Sequence, residues 1–149
     1  MLPLNTLLNT LTWFKKAVPE PSKQNIQVQL GVHFEEVVEM LYEIHTNDET
    51  TLVHLLKARQ AMSDLAMLLK KNNATISVPN RVAMLDAICD QLVTATGSAY
   101  MMGMDPIAGL DEVNRSNWSK FVDGEPVFNS DMKITKGPEY TKPILDPFV

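Results

Sequence analysis

Between Ile26 and Ile44 the chain places Leu30, Phe34, Val37, Val38, Leu41 and Ile44 on one face of a helix, with Glu35, Glu36, Glu39 and Glu43 on the opposite one. This segment is therefore a helix that buries one side and carries a row of carboxylates on the other. Glu35 and Glu39 lie one turn apart, where like charges cost roughly 0.2–0.5 kcal/mol per pair. A second acidic pair, Asp86 and Asp90, repeats the spacing further along the chain. The positions that could hold a relieving Lys or Arg one turn away carry Gly31, Val32, Met40, Val82, Ala83 and Cys89 instead. The positive charge is expected from outside each helix, and a hard metal ion is the usual source.

The same helical periodicity recurs along the chain. Leu4, Leu7, Leu8 and Leu11 mark a short amphipathic helix that ends at the proline-rich stretch Val18 to Ser22. Thr46-Asn47-Asp48-Glu49 supplies cap chemistry for a third helix, roughly residues 50–72, stopped by Asn72-Asn73. Pro79 and Asn80 introduce a fourth, about Arg81 to Met102, with a stripe of Leu85, Cys89, Leu92, Val93, Thr96 and Tyr100 bordered by Asp86 and Asp90. After Gly103-Met104-Asp105-Pro106 a last helix runs to about Lys120. The remainder, rich in Gly and Pro, reads as a turn-rich arm over residues 122–149. The expected architecture is a single all-α domain spanning 1–149, a helical bundle with an irregular C-terminal arm.

Composition narrows the partners. A net charge of −5 argues against a nucleic-acid footprint. No apolar run reaches the roughly 18 residues of a membrane span. The start MLPLNTLLNTL lacks a basic region and a cleavage site, so a secretory leader is not expected. The single cysteine, Cys89, excludes an intrachain disulfide and fits a reducing cytoplasm, where it is expected to be an inert core thiol. The acid clusters contain no Cys/His constellation of zinc spacing and no EF-hand loop. Carboxylate ligands favour Mg²⁺, with Mn²⁺ as the alternative.

Four segments occur in an order that resembles the all-α nucleotide pyrophosphohydrolases: MazG, phosphoribosyl-ATP pyrophosphohydrolase and the all-α dUTPases. They are Trp13-Phe14-Lys15-Lys16-Ala17-Val18, the EExxE at Glu35 to Glu39, the acidic helix at Asp86 to Asp90, and Glu112 to Lys120. The tail from Asp123 to Tyr140 is also similar. The resemblance covers about residues 10–145 and is strongest to small single-domain bacterial and phage members. One departure stands out: the second motif is commonly ExxD, and alignment on Asp90 puts Ala87 where the Glu would be, with Asp86 one residue earlier.

The resemblance implies a MazG-like four-helix bundle that converts a (d)NTP and water into a (d)NMP and pyrophosphate by attack at the α-phosphorus. It implies that Glu36, Glu39, Asp86 and Asp90 hold metal, and that Glu35 orients or deprotonates water. Glu35, Glu36, Glu39 and Asp90 form the implied catalytic set. Asn117, Lys120 and Arg115 are implied phosphate contacts, and Trp13, Phe14 and His33 implied base contacts. Partners would be the nucleoside triphosphate and further copies of the chain in a homodimer or homotetramer, in a bacterial or phage-infected cytoplasm. Phosphoribosyl-ATP hydrolysis and a non-catalytic helical oligomeric binding protein are the alternatives.

Overall fold

The computed structural model describes residues 5–71, 75–130 and 132–149. Five α-helices account for most of it: α1 (Thr6–Ala17), α2 (Lys23–Tyr42), α3 (Glu49–Lys70), α4 (Arg81–Met101) and α5 (Pro106–Trp118). A 3₁₀ turn, Asp146–Phe148, lies near the C-terminus. The all-α expectation is met. The chain divides into two compact units, residues 20–77 and residues 1–19 with 78–149.

The first of these units is an α2–α3 hairpin. Ser22 caps α2 in a reciprocal box with Asn25, so this helix starts before the apolar pattern at Ile26 becomes visible. Asp48 caps α3 by accepting from the Thr51 N–H at 2.7 Å. Val28, Gly31 and Val38 of α2 and Ala66 and Leu69 of α3 are buried. Gly31 permits the close approach: a Cβ there would stand 2.8 Å from the Ala66 carbonyl oxygen and 3.0 Å from Leu69 Cβ. At the turn end, Arg59 donates to the Leu41 carbonyl at 3.1 and 2.7 Å and to that of Ile44 at 3.0 Å. It thereby places a cation on the Leu41 carbonyl in the last turn of α2 and on the Ile44 carbonyl just beyond it, which suits the helix dipole. The Asn72-Asn73 stop lies outside the described residues, as does Leu4.

In the other unit α1 packs along α5 through polar side chains. Asn114, 1% exposed, donates to the Thr6 carbonyl at 3.0 Å and accepts from the Thr10 hydroxyl at 2.9 Å. Trp118 Nε1 donates to Asn9 at 2.8 Å, and Trp13 Nε1 to the Asn117 carbonyl at 3.0 Å. The leucine stripe of α1 is not the packing face: Leu7, Leu8 and Leu11 remain exposed.

The C-terminal arm lies along α5. Arg115 forms a two-pronged pair with Glu112, both contacts at 2.7 Å, and donates to Thr141 Oγ1 and the Lys142 carbonyl. Glu112 accepts from the Ile144 N–H at 2.8 Å, and Ser116 donates to the Thr141 carbonyl at 2.8 Å. At the other end of α5, the Asp105 N–H donates to the Phe148 carbonyl. The arm begins in a tight turn with positive φ at Asp123 and Gly124, flanked by a Val122–Glu125 bridge. An Asp-Gly pair suits such a turn because these residues tolerate left-handed backbone.

α4 corrects two expectations. None of its residues is buried among the described residues, so the expected burial of its apolar stripe is not seen. Cys89 is exposed for the same reason, not a buried thiol.

Candidate functional site

Sequence segments about a hundred residues apart meet on one side of the α1–α5 unit. Trp13 stacks on Phe121 at 5.7 Å between ring centroids, and Trp118 meets Phe121 edge-on at 5.3 Å. Phe14 packs edge-on against Trp13 at 5.1 Å. The indole N–H groups fix this cluster by reaching across to the opposite helix, so the half-buried indoles are held in place around the buried Phe121 ring. Trp13 thus touches the backbone of Asn117. Lys120 extends its ammonium to Asn117 Oδ1 at 2.7 Å.

Beside this cluster is an open cleft of about 410 Å³ lined by Lys16, Trp118, Ser119, Phe121, Asp123, Gly124 and Glu139. It combines aromatic surface, one ammonium and two carboxylates. Lys16 pairs with Glu125 at 2.8 Å, both well exposed, so the pair contributes little stability and is free to rearrange around a ligand. The cleft can take a flat ring against Trp118, which the buried Phe121 backs, and an anionic group near Lys16. The sequence marked Trp13, Phe14, Asn117 and Lys120 for this region but did not assign Lys16, Phe121, Asp123 or Glu139 to it. The Trp13-Phe14-Lys15-Lys16 segment was the available signal for Lys16.

Arg115 is committed differently from its expected role. Its donors go to Glu112, Thr141 and Lys142, and they fasten the arm to α5. Hydrogen bonds from Arg115, then from the Ile144 N–H, lower the Glu112 carboxyl to about 2.

The acids are distributed over both units. Glu35, Glu36 and Glu39 lie on α2, and Asp86 and Asp90 lie on α4. Part of the outside charge that Glu35 requires is supplied by Lys70 of α3, which forms an ion pair with it. Gly31 makes that possible, since its missing side chain leaves room for the Lys70 stem one turn before Glu35. Glu36 and Glu39 are exposed, as are Asp86 and Asp90. The carboxylate chemistry of each pair fits Mg²⁺. Among the described residues no group of three or more His, Cys, Asp or Glu is gathered as a metal-binding set. His33 is exposed on α2 beside Phe34, in the hairpin unit, whereas Trp13 and Phe14 belong to the α1–α5 unit.

Among the described residues no helix is long and apolar enough to cross a membrane. No protein-family model matches the chain, and neither the curated proteins nor the solved structures contain a match.

Proposed function

We propose that this protein is a metal-dependent nucleoside triphosphate pyrophosphohydrolase of the MazG-like all-α type. The observation that carries the reading is the meeting of the Trp13–Lys16 and Asn117–Lys120 segments around one aromatic and cationic surface. These are two of the four segments on which the resemblance rests, and their chemistry suits the two ends of a nucleotide.

In this reading Trp118, backed by Phe121, offers a face for the base, beside Trp13 and Phe14. Asn117 and Lys120 hold phosphate oxygens; Lys120 exchanges its bond to Asn117 for one to the substrate, and Lys16 is the cation that lines the cleft itself. Glu36, Glu39, Asp86 and Asp90 are the proposed ligands for Mg²⁺ or Mn²⁺. When bound, the ion neutralises non-bridging oxygens and lowers the pKa of water. Water oxygen bonds to the α-phosphorus, the bond to the bridging oxygen breaks, and pyrophosphate leaves with that oxygen. Glu35 is the carboxylate proposed to receive the water proton, with Lys70 setting its charge and orientation. The proposed setting is the cytoplasm of a bacterium or phage-infected cell, with the nucleotide and further copies of the chain as partners.

A panel of NTPs, dNTPs and phosphoribosyl-ATP, assayed for pyrophosphate with Mg²⁺ or Mn²⁺, tests the reading and ranks the substrates. A second reading, a non-catalytic helical binding protein, is favoured by the Lys70–Glu35 pair, which gives Glu35 a structural use. Absence of metal-dependent pyrophosphate release across the panel selects it.

A further inference from the structure

Two carboxylates in the cleft beside Trp118 are uncommitted. Lys16, the one ammonium among the lining residues, is already answered by Glu125 at 2.8 Å. Asp123 and Glu139 line the same cleft, and their side chains make no hydrogen bond or ion pair among the described residues. An ionised carboxylate only accepts hydrogen bonds. A flat ligand lying on Trp118 therefore meets acceptors along the cleft wall, and it gains most there if its own edge is made of N–H donors.

Glu139 is the better held of the two. Gly137 seats the arm on the chain that leads out of α5: its N–H donates to the Lys120 carbonyl at 3.2 Å, and a Cβ there would stand 2.7 Å from Val122 Cγ2. Two residues beyond Glu139, the Thr141 N–H donates to Ser119 Oγ at 3.0 Å, and the Thr141 carbonyl accepts from Ser116 at 2.8 Å. The backbone that carries Glu139 is thus pinned on both sides. Asp123, by contrast, sits in an exposed two-residue turn between Val122 and Glu125. Trp118 is fixed in its turn by the bond to Asn9 and by Phe121 behind it. Ring face and Glu139 backbone are both set before a ligand arrives, which spares the cost of ordering them on binding.

We propose that Glu139 selects the base of the nucleotide, and that the base is guanine. The inference deepens the nucleotide reading and rests on it. The N1–H and the 2-amino group of guanine point the same way and can give one carboxylate two parallel, charge-assisted bonds. Adenine and cytosine each place a ring-nitrogen lone pair beside their amino group, which sets one of the two contacts against an acceptor-only carboxylate. Uracil and thymine flank their single N–H with carbonyl oxygens. A polar edge left unmatched in this way is what lets a site reject a ligand of similar shape. Because Glu139 is exposed, the expected preference is about fivefold, the low end for a bidentate contact to a base.

The test is titration calorimetry of the full chain with GMP, IMP, AMP, CMP and UMP in the absence of metal, which reads the base and not turnover. GMP should bind at least about fivefold more tightly than AMP, CMP or UMP, with IMP, which lacks the 2-amino group, in between. Glu139→Gln should bring GMP close to AMP and leave AMP unchanged, whereas Asp123→Asn should keep the preference. Neopterin presents the same donor edge without a ribosyl phosphate and should bind more weakly than GMP. GMP no tighter than AMP, or IMP equal to GMP, overturns the proposal. So does a preference that survives Glu139→Gln or disappears in Asp123→Asn, neopterin tighter than GMP, or a failure of all five nucleotides to bind. Pyrophosphate release without guanine preference in binding rejects this inference alone; guanine-selective binding without any release rejects the hydrolase reading alone.

Discussion

Lys70 of α3 reaches Glu35 of α2 across the bare backbone of Gly31, where a single methyl group would collide with the Ala66 carbonyl at 2.8 Å. Replacing Gly31 with Ala should therefore destabilise the hairpin despite the better helix propensity of alanine. Overpacking costs about 1–3 kcal/mol, against a propensity gain of about 1 kcal/mol. Lys70→Ala removes only a partly exposed ion pair and should cost about 1 kcal/mol or less. Urea unfolding of both variants checks the order; Gly31→Ala equal to or more stable than wild type would refute the close-packing account.

Asn114 is the hydrogen-bonding centre of the α1–α5 contact. Asn114→Ala should lower stability by about 2–3 kcal/mol, because it opens a small void and leaves buried polar partners without their bonds. Asn114→Asp should be worse near neutral pH, since it places a charge where only an amide is accommodated. Thermal unfolding monitored by circular dichroism measures both; a loss below about 0.5 kcal/mol for Ala would contradict this role.

The helices were largely legible in the sequence because apolar periodicity and caps at Asn80, Asp48 and Asp105 act locally. The packing face of α1 was not. Leu7, Leu8 and Leu11 suggested an apolar seam, but Thr6, Asn9, Thr10 and Trp13 make the contacts with α5. Periodicity registers apolar area and has no record of a hydrogen bond to a residue a hundred positions away. The same limit hid Lys70 as the partner of Glu35. The candidate nucleotide surface was partly legible, since Trp13, Phe14, Asn117 and Lys120 were marked and do lie together. The cleft wall at Asp123 and Glu139 depends on how the arm turns back, which local pattern does not encode.

Glu112 gives the protein an acid-sensitive fastening. Its folded pKa of about 2 lies below its ordinary value of 4.5, so the stability it confers is complete above 4.5 and is lost as pH falls through about 2. Glu112→Gln should be less stable than wild type near neutral pH, and the difference should shrink across that window. Urea midpoints measured from pH 5 downwards test it; a gap that widens with acid would have the wrong sign.

Turnover should depend on the two acid helices. Glu36→Gln, Glu39→Gln and Asp90→Asn are each expected to cut kcat by about a hundredfold or more with helicity unchanged, because each removes a charge proposed to hold metal. Asp86→Asn should have a smaller effect if Asp86 acts from the neighbouring turn. Near wild-type rates for the first three variants at saturating metal would remove these residues from the mechanism.

The central claim, water attack at the α-phosphorus, is tested most directly by hydrolysis of the preferred triphosphate in ¹⁸O-labelled water with Mg²⁺, followed by mass analysis of the products. The account predicts a nucleoside monophosphate carrying one ¹⁸O and unlabelled pyrophosphate. Label in orthophosphate, or in pyrophosphate with an unlabelled monophosphate, would contradict it.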